Sequence, residues 1–259
     1  MTDVLAEDVN WLAESLRLTM FSTGADGESV SATLFRDLTG QDPEVTAVHK
    51  AGPAQHEHGQ LAGTAAVLSC DRQPGRWDIA LTPILTGDMT LAEFPNIGNW
   101  RNALEFYRRL MLQWIDRSPP CNRIAVGAIA LRPAADRVAG YRALQQFLPD
   151  VRIDAEHSMD FSYTINRPRQ FEIDHDSVRI NRLSKWSVAR LSGVQFQVSG
   201  ATTPVQVTPT GVDIHACRVE LDINTAAERV APLPKDAIAP MFSQLVESVI
   251  ELLDKGDVR

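Results

Sequence analysis

The chain has 259 residues, 44% hydrophobic and 22% charged, with a formal net charge of −8. That composition is of the folded globular class and is long enough for one large domain or two small ones. Its acidic balance argues against extended phosphate binding. No apolar run approaches the roughly 18–20 residues of a membrane helix, and residues 1–10 lack the basic-then-apolar order of a signal peptide. A cytoplasmic protein with no membrane contact is therefore expected. Cys70, Cys121 and Cys217 are odd in number and far apart, with no CxxC pair, so buried free thiols are expected rather than disulfides or a zinc knuckle.

In chain order, Leu5, Val9 and Leu12 suggest a helix over residues 3–14, and Leu16, Leu18 and Met20 alternate as a strand over 15–21. A Gly- and Ser-rich loop leads to a second helix over 28–38, stopped at Gly40, and then a short strand over 43–50. Residues 51–63 read as a polar loop. Strands at 64–70 and 77–84 flank the turn Arg72-Gln73-Pro74-Gly75, a hairpin signal. The clearest helix follows, with Ile97, Trp100, Leu104, Tyr107, Met111 and Trp114 at spacings of three and four, ended by Pro119-Pro120.

In the second half, 123–131 reads as a strand, 135–148 as a helix, and 158–165, 178–181, 186–199 and 211–223 as strands. An amphipathic helix over 235–253 closes the chain before Gly256. The expected fold is α+β: a mostly antiparallel sheet covered by long helices. It is organised as a duplicated β-α-β-β-β-α unit in two tightly packed halves, 1–118 and 119–259, with a sheet in each.

Sites of chemistry are sparse. There is no GxSxG elbow, GxxxxGK[ST] loop, GxGxxG turn or HExxH pair. No catalytic residue, metal or cofactor is assigned. In His56-Glu57-His58, alternate residues of an extended segment point the same way and could share a metal. With no further ligand nearby unless His49 folds back, we read the segment as a solvated loop. Asp174-His175-Asp176 reads as a turn, and Asn96-Ile97-Gly98-Asn99 as a helix cap rather than an anion site. Asp222, Asn224, His215 and Arg218 are the candidates for a ligand pocket between the halves.

The segment that stands out is 164–190. Ile-Asn-Arg occurs twice, and Arg167, Arg169, Arg179, Arg182, Lys185 and Arg190 gather around Phe171 and Trp186 in an otherwise acidic chain. Arginines interleaved with aromatics could dock an acidic partner surface or grip phosphates and stack bases. They could also pair with carboxylates on a solvated strand face. The stretches Ile165-Asn-Arg-Pro-Arg, Ile180-Asn-Arg-Leu-Ser-Lys-Trp-Ser and Glu220-Leu-Asp-Ile-Asn-Thr resemble a family of uncharacterised bacterial proteins of similar length. The resemblance implies a bacterial cytosolic origin, and no chemistry or site residue comes with it.

The leading expectation is a non-enzymatic binding or assembly subunit of a bacterial multiprotein system. Its binding patch is Arg167, Arg169, Arg179, Arg182, Lys185, Trp186 and Arg190, with a protein partner or a second copy of the chain bound there. The alternatives are nucleic-acid binding through residues 167–190, and a small-ligand protein or enzyme with a pocket between the halves.

Overall fold

The computed structural model describes residues 10–22, 33–48, 54–85, 93–173, 176–197 and 206–258. In chain order the elements are β1 (Leu12–Ser22), α1 (Leu34–Thr39), β2 (Val45–Val48), β3 (Gln55–Gln60), β4 (Ala66–Gln73), β5 (Arg76–Pro83) and α2 (Trp100–Ile115). They continue with β6 (Cys121–Ala134), α3 (Arg137–Gln145), β7 (Ser162–Asn166), β8 (Arg169–Ile173), β9 (Asp176–Gln197), β10 (Gln206–Thr225) and α4 (Lys235–Lys255).

All ten strands belong to one sheet, in the order β2-β3-β4-β5-β1-β6-β10-β9-β7, with β8 also on β9, and every pairing is antiparallel. The expected sheet covered by long helices is therefore corrected. Strand far outweighs helix, about 45% against 25%, and the described helices number four. The expected pair of sheets is likewise replaced by a single sheet, joined through ten residue pairs between β1 and β6. Nor is either segment β-α-β-β-β-α, since four strands, not three, separate the short helix from the long one.

Strand periodicity explains which face is covered. One row across the sheet runs Gly59, Leu68, Leu81, Leu16, Ala128, Leu221, Ser184, Ile165. One residue along each strand, the next row runs Val45, His58, Ser69, Ala80, Arg17, Gly127, Asp222, Leu183, Asn166 and turns to the opposite face. The first row is apolar at the centre and buried under helices, while the second is polar and small.

The helices all lie on the first face. Phe35 of α1 sits against Gly59, where a Cβ would come within 2.8 Å of its ring. Tyr107 of α2 donates to the Ile79 carbonyl at 2.7 Å, and Trp114 packs 5.8 Å from Trp77. Gly140 of α3 lets Val188 approach closely, and α4 seals the centre with Ile238, Phe242, Leu245 and Val249, all fully buried. Asn99 caps α2, its side chain accepting from the Arg101 and Asn102 amides, which agrees with the capping expectation. No described helix is long and apolar enough to cross a membrane.

Three further expectations are corrected. Residues 12–14 are strand rather than helix, because Trp11 and Ala13 alternate into the core; residues 1–9 lie outside the described set. Residues 55–60 are strand β3 rather than loop, held between β2 and β4 by full ladders. The separate strands expected at 178–181 and 186–199 are instead parts of one long element, β9, of 22 residues.

Candidate functional site

The six cations of the 164–190 segment fall on both sides of the sheet. Arg182 and Trp186 are four residues apart, an even spacing that sends both to the helix-covered face. Trp186 is fully buried, stacked on Phe147 at 5.8 Å with its indole N–H donating to Ser184 Oγ at 2.9 Å. Arg182, 1% exposed, donates to Glu251 of α4 at 2.9 Å, and Arg169 grips the same carboxylate at 2.6 Å. Arg167 makes two hydrogen bonds to Asp257, at 2.5 and 2.8 Å, and Tyr163 adds a third at 3.1 Å.

Arg179 and Lys185, at odd positions, face the other way and pair with Glu228 and Glu220, the latter at 3.0 Å. Arg190 pairs with Asp213 at 2.8 Å. Every cation in the segment's expected patch thus lies against a carboxylate of its own chain. The charge environment follows. Burial raises the Glu251 carboxyl, but the Arg169 hydrogen bond and the charges of Arg182 and Arg169 outweigh it and hold the group below its ordinary range. Burial and the neighbouring Arg169 push the Arg182 guanidinium down. The Arg167 hydrogen bond draws the Asp257 carboxyl below its ordinary value.

The pocket candidates also divide. Asp222, Asn224 and Arg218 share the helix-free face, whereas His215, at an odd position of β10, points to the other. Asn224 is buried and occupied by Arg123, Asn181 and Asp222. Arg218 bridges Glu14 at 2.9 Å and Glu220, whose other partner is Lys185. An ionic ladder Glu14–Arg218–Glu220–Lys185 therefore crosses β1, β10 and β9.

Beside that ladder lies a depression of about 440 Å³ in the middle of the helix-free face. Its floor is Ala80, Gly127, Ala128 and Ile129; its rim carries Ser15, Arg17, Thr82, Thr164, Leu183, Lys185, Glu220 and Asp222. Ala80 and Gly127 carry little or no side chain on this face, which leaves room for the depression. Gly127 has a structural reason: the Arg17 guanidinium lies across it, 3.4 Å from where a Cβ would stand. Arg17 is exposed and has no hydrogen bond or ion pair with a described residue. Asp222 stands two strands away, about 10 Å by strand spacing, accepting only from Asn224 at 3.2 Å among the described residues. Asp222 stands among the pocket candidates of the sequence but Arg17 does not, because the two are 205 positions apart and meet only through β6.

Elsewhere, Cys70, Cys121 and Cys217 are free and buried, as expected. Burial pushes the Cys121 and Cys217 thiols up to about 11, so both stay protonated. Asp174 and His175 lie outside the described residues. Among the described residues no three His, Cys, Asp or Glu side chains are grouped as a metal site. Comparison of the chain with protein-family models, curated proteins and solved structures finds no match.

Proposed function

We propose that this chain is a binding subunit that docks a partner protein on the helix-free face of its sheet, centred on Arg17, Gly127 and Asp222. The observation that carries the reading is the asymmetry of the sheet: all four described helices lie on one face, and the other presents a concave centre with an arginine that has no partner among the described residues. An arginine fork with no partner among the described residues is suited to a carboxylate. Asp222 and the half-exposed apolar Leu183 beside it supply a complementary charge and an apolar contact. The partner surface that fits carries both signs of charge around a small apolar knob.

This reading keeps the binding-subunit expectation and moves the contact surface from the 164–190 segment to the opposite centre of the sheet. Trp186 has no exposed surface to offer a partner, and the segment's cations are already neutralised. The same neutralisation leaves the nucleic-acid alternative without a free cationic stripe among those residues.

The test is a quantitative affinity purification from the native host with wild type, Arg17→Glu, and Arg109→Glu on the exposed side of α2 as control. The expected result is a stoichiometric protein retained by wild type and R109E and depleted at least tenfold by R17E. Equal retention by R17E and wild type overturns the reading.

A further inference from the structure

On the same helix-free face, near its β2 edge, β3 places two imidazoles side by side. His56 and His58 are alternate residues of the strand and point the same way. His56 Nε2 stands 3.1 Å from His58 Nδ1, and the other nitrogen of His56, Nδ1, is 2.5 Å from Asp71 Oδ1 on β4. Asp71 sits directly across from His56 in the ladder.

Three features make this more than two neighbouring rings. First, the separation fits a chelate: with metal–nitrogen bonds of about 2.05 Å, nitrogens 3.1 Å apart subtend about 98° at the metal, between octahedral and tetrahedral values. Second, a carboxylate on the far nitrogen places the His56 N–H on Nδ1 and leaves the Nε2 lone pair, which accepts from His58 Nδ1–H in the metal-free chain and is free for a metal once His58 carries its proton on Nε2; a carboxylate there is the usual outer partner of a ligating histidine. Third, the strand is clamped from behind. Glu57, between the two histidines, is buried and accepts from the Phe35 amide of α1 at 2.7 Å and from the Gln55 side chain at 2.5 Å. The imidazoles are thus carried on a fixed backbone, with the His56 side chain about 41% exposed and open to an ion from solvent.

We propose that His56 Nε2 and His58 Nδ1 form a two-nitrogen chelate for a borderline divalent transition-metal ion of the Ni²⁺, Cu²⁺ or Zn²⁺ type, oriented by Asp71. Water, or a donor group from a bound partner, completes the coordination sphere. Imidazole ligation selects these ions over Mg²⁺ and Ca²⁺, which prefer oxygen. Asp71 is a positioning residue, and its opposite neighbour Asp78 adds negative potential that is partly offset by Arg76 at 2.6 Å.

The experiment is titration calorimetry of the full chain, free of any histidine tag, with NiCl₂, CuCl₂, ZnCl₂ and MgCl₂. The variants are His56→Ala, His58→Ala and Asp71→Asn, each checked for folding by circular dichroism. The expected result is one equivalent of Ni²⁺, Cu²⁺ and Zn²⁺ bound with no detectable Mg²⁺. Each histidine variant loses at least tenfold in affinity, and D71N loses about tenfold at unchanged stoichiometry. Paramagnetic broadening of the two imidazole resonances by Ni²⁺ separates ligation from a structural effect. No binding by wild type, or wild-type affinity in either histidine variant, overturns the proposal.

Discussion

At the scale of single residues, the chain's cations illustrate how strand parity decides what a side chain can do. Arg182 and Trp186 form a conspicuous pair in sequence, and an arginine beside a tryptophan suggests a contact surface. Their even spacing on one strand instead drives both onto the helix-covered face, where Arg182 meets Glu251 of α4 and Trp186 stacks on Phe147 just after α3. The parity was legible in the sequence. The partners were not, because Glu251 and Asp257 lie 69 to 90 positions away from the arginines they hold. Asp257 shows what such a contact is worth. It is 3% exposed and bound by Arg167 and Tyr163, so Asp257→Asn is expected to cost about 2 kcal/mol at pH 7. Because the folded carboxyl sits below its ordinary value near 3.8, this stabilisation is complete above the unfolded value and fades as pH falls through the folded one. Urea denaturation of wild type and D257N at neutral and at acid pH should show the gap closing on acidification. A gap that stays constant would show that the Arg167 pair is not its source.

At the scale of elements, local chemistry and long-range pairing divide the sequence differently. The β4–β5 hairpin was readable from Pro74-Gly75 between two alternating runs, and the left-handed Gly75 (φ 73°) sits in its turn. Helices α2 and α4 were readable from apolar spacing, and each buries the predicted stripe. Strand β3 was not, since Gln55-His-Glu-His-Gly-Gln carries no β-branched residue and looks like loop. It is a strand because β2 and β4 pair with it on both sides and Glu57 anchors it to α1, a case of tertiary context overriding propensity. The end of α4 carries a sharper constraint. Gly256, at φ 76° and ψ −155°, stops the helix, and a Cβ there would stand 2.2 Å from the Phe147 carbonyl oxygen. Gly256→Ala is therefore expected to destabilise the fold by roughly 3 kcal/mol or more, read as a lowered thermal midpoint. A midpoint within a degree of wild type would mean that the 147–148 segment yields freely.

At the scale of the whole molecule, the decisive feature is that one long β1–β6 ladder fuses the described strands into a single sheet with all the described helices on one face. Neither composition nor periodicity indicates which of two strands will meet at a sheet's centre, because that pairing is chosen by the packing of both halves at once. The sequence therefore supplied most strands and both long helices, while the single sheet, its face asymmetry and the Arg17–Gly127–Asp222 row became visible only in three dimensions. The binding reading rests on that row. Its most direct test is site-specific photo-crosslinking in the native host, with a photoreactive phenylalanine analogue at Leu183 on the helix-free face or at Arg109 on the exposed side of α2. One discrete higher-mass adduct from position 183, absent from position 109, is the predicted result. An adduct from position 109 with none from 183 would place the partner on the helices and contradict the account.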